Sequence, residues 1–233
     1  MTRLEQLFEG KLPRLVMFDL DGTLMDSVPD LAAAVDKMLM LLGRAPAGAA
    51  RVRNWIGNGS PVLVRRALAG GLEHEGVADE LAEEALALFM QAYAGSHELT
   101  TVYPGVRECL DWLRERDVCL SIITNKPAQF IEPLLEEKGL AGYFSWLVGG
   151  DTLPQQKPDP AALLWVMSQA GVGPGASLFV GDSRNDVRAA KAAGVPCVAL
   201  SYGYNHGEPI SNEQPALVLD DLSELVASVS GLR

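Results

Sequence analysis

Residues 15–26 read Leu-Val-Met-Phe-Asp-Leu-Asp-Gly-Thr-Leu-Met-Asp, and no other run constrains the fold as tightly. Four apolar residues, Leu15 to Phe18, lead directly into two acids, Asp19 and Asp21, at a glycine-containing turn. A short continuous apolar run suits a strand buried on both faces, and carboxylates at its end must stay at the edge of that core. Alternate strand residues point the same way, but Gly22 turns the chain at once, so the two acids can occupy different places around one ligand. One can then attack a substrate while the other moves a proton.

Further apolar runs lie at 118–123, 146–148, 178–180, 197–200 and 217–219. Helical patterns separate them at 106–116, 128–138, 160–170 and 185–193. Apolar strands alternating with helices predict an α/β fold, a doubly wound, mostly parallel Rossmann-like sheet covered on both faces. Ligands bind outside the carboxyl ends of strands in such a sheet.

Only the stretch from Ser27 to about Thr100 breaks the alternation. Leu31, Val35, Met38, Leu39 and Leu42 fall at helix spacing there, as do Leu81, Ala85, Leu88 and Phe89, and no strand candidate intervenes. The expected organisation is an α/β core from residues 1–26 and 101–233, interrupted by an all-helical cap at 27–100. Inserted just after the acidic turn, the cap would sit over the strand ends as a lid. Gly95 and Pro104-Gly105 mark the return to the core.

Three more polar groups follow the later strands. Thr124 and Asn125 offer a hydroxyl and an amide, which can bind phosphoryl oxygens without adding negative charge. Lys157, in Gln-Lys-Pro-Asp-Pro, supplies a cation whose approach is stiffened by the adjoining prolines. Asp182 and Asp186 stand four apart after Gly181, where a helix is expected to begin, and oxygen donors of this type suit Mg²⁺.

The sequence D-x-D-G-T-L, with Thr124-Asn125, the K-P-D-P around Lys157 and the Gly-Asp-Ser-Arg-Asn-Asp ending at Asp186, resembles the ordered signatures of the haloacid dehalogenase-like phosphohydrolases. That resemblance implies that Asp19 is the nucleophile and forms an aspartyl-phosphate, and that Asp21 is the general acid and base. Mg²⁺ would be held by Asp19, the main-chain carbonyl of Asp21 and Asp182, with Asp186 orienting Lys157 or metal-bound water. Thr124, Asn125 and Lys157 would bind phosphate. An acid at position 21 separates this pattern from the dehalogenases, and Lys37, on a regular amphipathic helix, is a poor match for a Schiff-base lysine. The segment Val52-Arg-Asn-Trp-Ile-Gly-Asn-Gly59 and the later Ser201–Gly207 are similar to bacterial phosphoglycolate phosphatases. This implies 2-phosphoglycolate as substrate, with Arg53 or Asn58 meeting its carboxylate. A sugar-phosphate phosphatase, a β-phosphoglucomutase-like transferase and a sensor of phosphorylated metabolites are the alternatives.

With 48% hydrophobic residues among 233, the chain can build a sizeable core. Its net charge of −11 argues against nucleic acid as a partner and leaves a small phosphorylated metabolite as the expected one. The longest uncharged run, 160–181, is interrupted at Gly171-Val-Gly-Pro-Gly175, so no membrane partner is expected either. Three cysteines without C-x-x-C spacing and an N-terminal stretch carrying Arg3, Glu5 and Glu9 point to a reduced, cytoplasmic setting. Monomer and homodimer remain equally open.

Overall fold

The computed structural model describes residues 1–94 and 97–228. The break expected at Gly95 and the last five residues of the core segment lie outside them. Among the described residues there are eight strands: β1 (Leu15–Phe18), β2 (Met25–Asp26), β3 (Thr101–Val102), β4 (Cys119–Ile123), β5 (Trp146–Val148), β6 (Ser177–Gly181), β7 (Cys197–Leu200) and β8 (Leu217–Leu219). The α-helices are α1 (Arg3–Leu7), α2 (Val28–Leu41), α3 (Ala49–Trp55), α4 (Ser60–Ala69), α5 (Asp79–Tyr93), α6 (Val106–Arg114), α7 (Ile131–Glu137), α8 (Ala161–Ala170) and α9 (Arg184–Ala193).

Six strands form one parallel sheet in the order β5-β4-β1-β6-β7-β8. The winding reverses at β1, whose Phe18 aligns with Ile122 on one side and Val180 on the other. The carboxyl ends of these three strands are therefore level, and the turn carrying Asp19 emerges at the switch point. All four residues of β1 are fully buried. Val16 and Phe18 join the apolar cluster with Leu110, Leu134 and Leu222, whereas Leu15 and Met17 pack with Leu163, Val166 and Val187 on the opposite face. That two-sided burial is why β1 has no polar alternation.

The expected helix over 128–138 is divided, with a 3₁₀ turn at Ala128–Phe130 leading into α7. Pro133 sits in the first turn of α7, where the missing N–H costs nothing.

Helices α2 to α5 form the cap around its own apolar cluster, centred on Val35, Met38, Val64, Ala85 and Phe89. No strand occurs among the described residues of the insertion, but a short one flanks each end of it. β2 and β3 pair antiparallel, Met25 with Val102 and Asp26 with Thr101, making a two-stranded ribbon at the hinge. Two-residue strands are too short to leave a periodic signal, so the sequence did not reveal them. The hinge is tied again by Asp30, whose Oδ2 accepts both the backbone N–H and the hydroxyl of Thr100, each at 2.6 Å.

All three cysteines are free, with Cys109 and Cys197 buried. Among the described residues no helix is long and apolar enough to cross a membrane.

Because the cap has a separate core, a cavity made there should be felt directly. Phe89 is fully buried and stacks on Tyr93 with ring centroids 5.7 Å apart. Phe89→Ala is expected to cost about 3–5 kcal/mol, seen as a lower urea midpoint or an early cap transition. An unchanged unfolding curve would contradict the packing described.

Candidate active site

The site is built where β1 and β6 end. Asp19 continues the ladder of β1 by donating its N–H to the Val180 carbonyl at 2.9 Å. Its Oδ1 accepts the Leu20 N–H at 2.7 Å and lies 3.0 Å from the Lys157 ammonium. Gly22 has φ +90°, and a Cβ there would strike the Asp182 carboxylate, so the turn just after Asp21 requires glycine.

Asp182 follows β6 directly. Its Oδ1 accepts the Thr23 hydroxyl at 2.5 Å and its Oδ2 the Tyr204 N–H at 2.6 Å. Ser183, not Asp182, is the N-cap of α9. Asp186, in the first turn, accepts at Oδ2 the N–H groups of Asp182 and Ser183 and the Ser183 hydroxyl, at 3.1, 2.9 and 2.6 Å. Its Oδ1 takes the Lys157 ammonium at 2.6 Å. Asp186 is thus fixed by the start of α9 and in turn fixes Lys157 between itself and Asp19.

Asp19, Asp182 and Asp186 are 8%, 2% and 0% exposed, and each offers a carboxylate oxygen within 4.8 Å of the others'. Lys157 is the only cation ion-paired with this trio among the described residues. Burial drives the Asp19 pKa up to about 7; the ammonium of Lys157 opposes the rise and the charge of Asp186 adds to it. Asp182 is pushed well above its ordinary range, first by burial and then by Asp186 and Asp19. For Lys157 burial lowers the pKa, but Asp186 and Asp19 more than offset it and hold the lysine charged. Excess buried negative charge on hard oxygen donors is the environment that a divalent cation relieves, so these residues fit one.

Asp21 points to a different partner. Its carboxylate lies 3.1 and 3.2 Å from the ammonium of Lys126, which also donates to the Tyr93 hydroxyl. Lys126 directly follows Thr124 and Asn125, but a lysine in a loop reads as solvated surface, and sequence reasoning gave it no role. Tyr93 ends α5 of the cap and was equally unmarked, as one more aromatic on an amphipathic helix.

A cavity of about 40 Å³ opens between cap and core. Asp19, Asp21, Thr124, Asn125 and Lys126 line it from the core; Leu31, Ile56, Ser60, Leu63 and Tyr93 line it from the cap. Thr124 thus faces the same space as Asp19 and Asp21, and it does not cap a helix. Asn125 departs from expectation: its amide nitrogen donates to the carbonyls of Gly57 and Lys157, both at 2.9 Å, so it clamps the cap loop to the Lys157 loop.

Arg53 and Asn58 are not among the residues lining the cavity. Arg53 donates to the carbonyls of Tyr202 and Gly203 and lies over the Tyr204 ring at 4.7 Å, because a guanidinium beside exposed carbonyl oxygens satisfies them before it reaches a ligand. Asn58 offers its backbone carbonyl to Gln156 at 3.2 Å. The whole 53–58 segment is a latch: the Gly57 carbonyl also accepts from Asn185 at 3.0 Å, and His206 Nδ1 is 2.9 Å from the Asn54 carbonyl. His206 is a cap-docking residue. Lys37 is exposed on α2, away from the cavity.

A carboxylate beside a lysine, a second acid on a separate cation, and a cluster fit for a divalent cation, all under a helical lid, define a class of hydrolase working through carboxylate chemistry. A family model for haloacid dehalogenase-like hydrolase matches residues 13–194. The chain belongs to that family. It is 68% identical over 226 residues to a phosphoglycolate phosphatase of Pseudomonas putida, covering 97% of this chain and 83% of that protein. It is 65% identical to phosphoglycolate phosphatase 1 of Pseudomonas aeruginosa over the same shares. A solved structure from Haemophilus somnus, described as a predicted phosphoglycolate phosphatase, superposes with a TM-score of 0.85 at 35% identity, covering 91% of this chain and 96% of that one.

If Arg53 latches the cap, removing its guanidinium should loosen the latch and leave the sheet alone. In Arg53→Met, amide hydrogens over 54–59 are expected to exchange roughly tenfold faster, as loss of about 1.4 kcal/mol of hydrogen bonding would give. Exchange in β1, β4 and β6 should not change; unaltered exchange over 54–59 would refute the latch.

Proposed function

We propose that this enzyme hydrolyses a small phosphomonoester through an aspartyl-phosphate intermediate, and that its substrate is 2-phosphoglycolate. The observation that carries this reading is the cavity between cap and core in which Asp19 and Asp21 face one small space, each on its own lysine. The names of relatives 65–68% identical over nearly the whole chain support the substrate.

In the first step an Asp19 oxygen attacks phosphorus in line, the ester P–O bond breaks, and Asp21 gives its proton to the departing glycolate oxygen. In the second, Asp21 takes a proton from water as that water attacks phosphorus, which releases inorganic phosphate and restores Asp19. Lys157 stands at the Asp19 oxygen and meets charge on the transferring phosphoryl group, while the Thr124 hydroxyl supplies a donor from the end of β4. Asp186 keeps Lys157 in place and touches neither phosphate nor leaving group. Asp19, the Asp21 carbonyl and Asp182 would hold Mg²⁺, which supplies charge neutralisation for a dianionic ester among carboxylates. The cap excludes water from the acyl phosphate until glycolate has left. An apolar wall of Leu31, Ile56 and Leu63 offers nothing to the hydroxyls of a sugar, which favours the two-carbon acid over a hexose.

The test is a panel of small phosphate esters, with and without a carboxylate, assayed in Mg²⁺ and after EDTA. Highest kcat/KM for 2-phosphoglycolate, lost in chelator and restored by Mg²⁺, is expected; preference for hexose phosphates would overturn the substrate assignment. Asp19→Asn should lower kcat by roughly 10⁴-fold or more in a folded protein. Near-normal turnover by that variant would remove Asp19 from the nucleophile's role.

A further inference from the structure

Asp19 and its lysine account for the phosphate end of the substrate, but the buried cation on the other side of the cavity is unexplained. We propose that Lys126, braced by Tyr93 of the cap, binds the carboxylate of the leaving group and so sets the enzyme's choice of ester. The proposal rests on the phosphoglycolate reading and deepens it.

Among the residues lining the cavity Lys126 is the only cation. Its side chain is 2% exposed, and two other candidates are spent: Lys157 on Asp19 and Asp186, Arg53 on the carbonyls of Tyr202 and Gly203. An ammonium has three donors. One goes to the Tyr93 hydroxyl. The contacts to the two Asp21 oxygens, 3.1 and 3.2 Å, are nearly equal and longer than about 2.9 Å, the upper end for a direct charge-assisted bond, which is the pattern of one N–H shared between both. Asp21 is its only anionic partner among the described residues, so the buried ammonium can still receive a second anion.

Position then identifies the anion. Asp21 must reach the ester oxygen to protonate it, and Lys126 touches Asp21. In phosphoglycolate the carboxylate stands one methylene beyond that same oxygen, which brings it to the lysine. When the Asp21 carboxyl turns to the ester oxygen it releases the shared N–H, giving Lys126 two donors for a carboxylate. Ethyl phosphate, with a methyl group in that place, would leave them empty.

Tyr93 makes this recognition depend on the cap. Its ring is buried, stacked on Phe89 and edge-on to Phe130 at 5.0 Å, so its hydroxyl is held in place for Lys126 when α5 is seated. Burial raises the phenol pKa to about 12, which keeps the hydroxyl neutral beside the ammonium. Ser60, first residue of α4, lines the same cavity from the cap.

The experiment measures kcat/KM for 2-phosphoglycolate and for ethyl phosphate in wild type, Lys126→Gln and Tyr93→Phe, with folding followed by circular dichroism. Wild type should favour phosphoglycolate, and Lys126→Gln should shrink that ratio about a hundredfold, chiefly through KM for phosphoglycolate. Tyr93→Phe should shrink it about tenfold. Should Lys126→Gln fail to fold, the Tyr93→Phe ratio decides, and an unchanged ratio there overturns the proposal. Equal losses on both esters in Lys126→Gln would also overturn it, since the lysine would then act only through Asp21. A wild type without preference for phosphoglycolate would instead sink the substrate assignment itself, a result distinguishable from the other two.

Discussion

Concentrated negative charge, buried at one end of a parallel sheet, is the constraint on which the rest of the structure depends. Asp19, Asp182 and Asp186 share a volume a few ångströms across, with Lys157 as their only ion-pair partner among the described residues. Such a cluster persists only if every other term in the neighbourhood compensates it. The two-sided core around β1 and β6 supplies rigidity, the start of α9 turns its N–H groups toward Asp186, and Gly22 lets the turn pass against Asp182. Raised affinity for protons at Asp19 and Asp182 shows that the compensation is incomplete in the protein alone, which is why the site is suited to a divalent cation.

The cap meets this core in another way. Its apolar cluster is largely internal, reaching the core at Phe130 and Tyr204, and besides the Lys126–Tyr93 contact much of the docking uses backbone carbonyls: Gly57 to Asn125 and Asn185, Asn54 to His206, Tyr202 and Gly203 to Arg53. Breaking these few hydrogen bonds costs little, since water can replace each partner. Opening about the β2–β3 ribbon is therefore inexpensive compared with unfolding either core, as a lid that admits substrate and releases two products requires. Gly57, at φ +120°, holds the carbonyl that serves two amides at once.

Most of the core was legible because burial writes itself into strands. Apolar runs at 15–18, 146–148, 197–200 and 217–219 match the strands residue for residue, and Asp19 and Asp182 fall directly after β1 and β6. The failures share a cause. Arg53, Asn58 and Asn125 are long or flexible polar groups in or beside loops, and their type announces only that they can make hydrogen bonds. Which partner each takes depends on carbonyl groups brought near by folding, from Tyr202 and Gly203 to Gly57. Lys126 was missed for the opposite reason, since its burial follows from Tyr93 and Asp21, 33 and 105 positions away. No local pattern encodes that distance.

Two lysines serve the site, Lys126 on the cavity lining and Lys157 on Asp19 and Asp186, and the division has a consequence for how such a site can change. The Lys157 ammonium is held by Asp19 and Asp186 of the core, so the cap touches it only indirectly, through the loop that Asn125 ties to Gly57. Lys126 shares its charge between the proton-carrying acid and a cap tyrosine, so leaving-group recognition, lid closure and protonation meet at one ammonium. Replacing Leu31, Ile56 or Leu63 could reshape the leaving-group pocket without touching the chemistry, because none of them contacts an acid through a hydrogen bond. Altering Lys126 could not, because any gain in tolerance for neutral esters would be offset by a less firmly positioned Asp21. Variation in substrate size is thus open to the cap wall, whereas the charge of the leaving group is tied to the reaction itself.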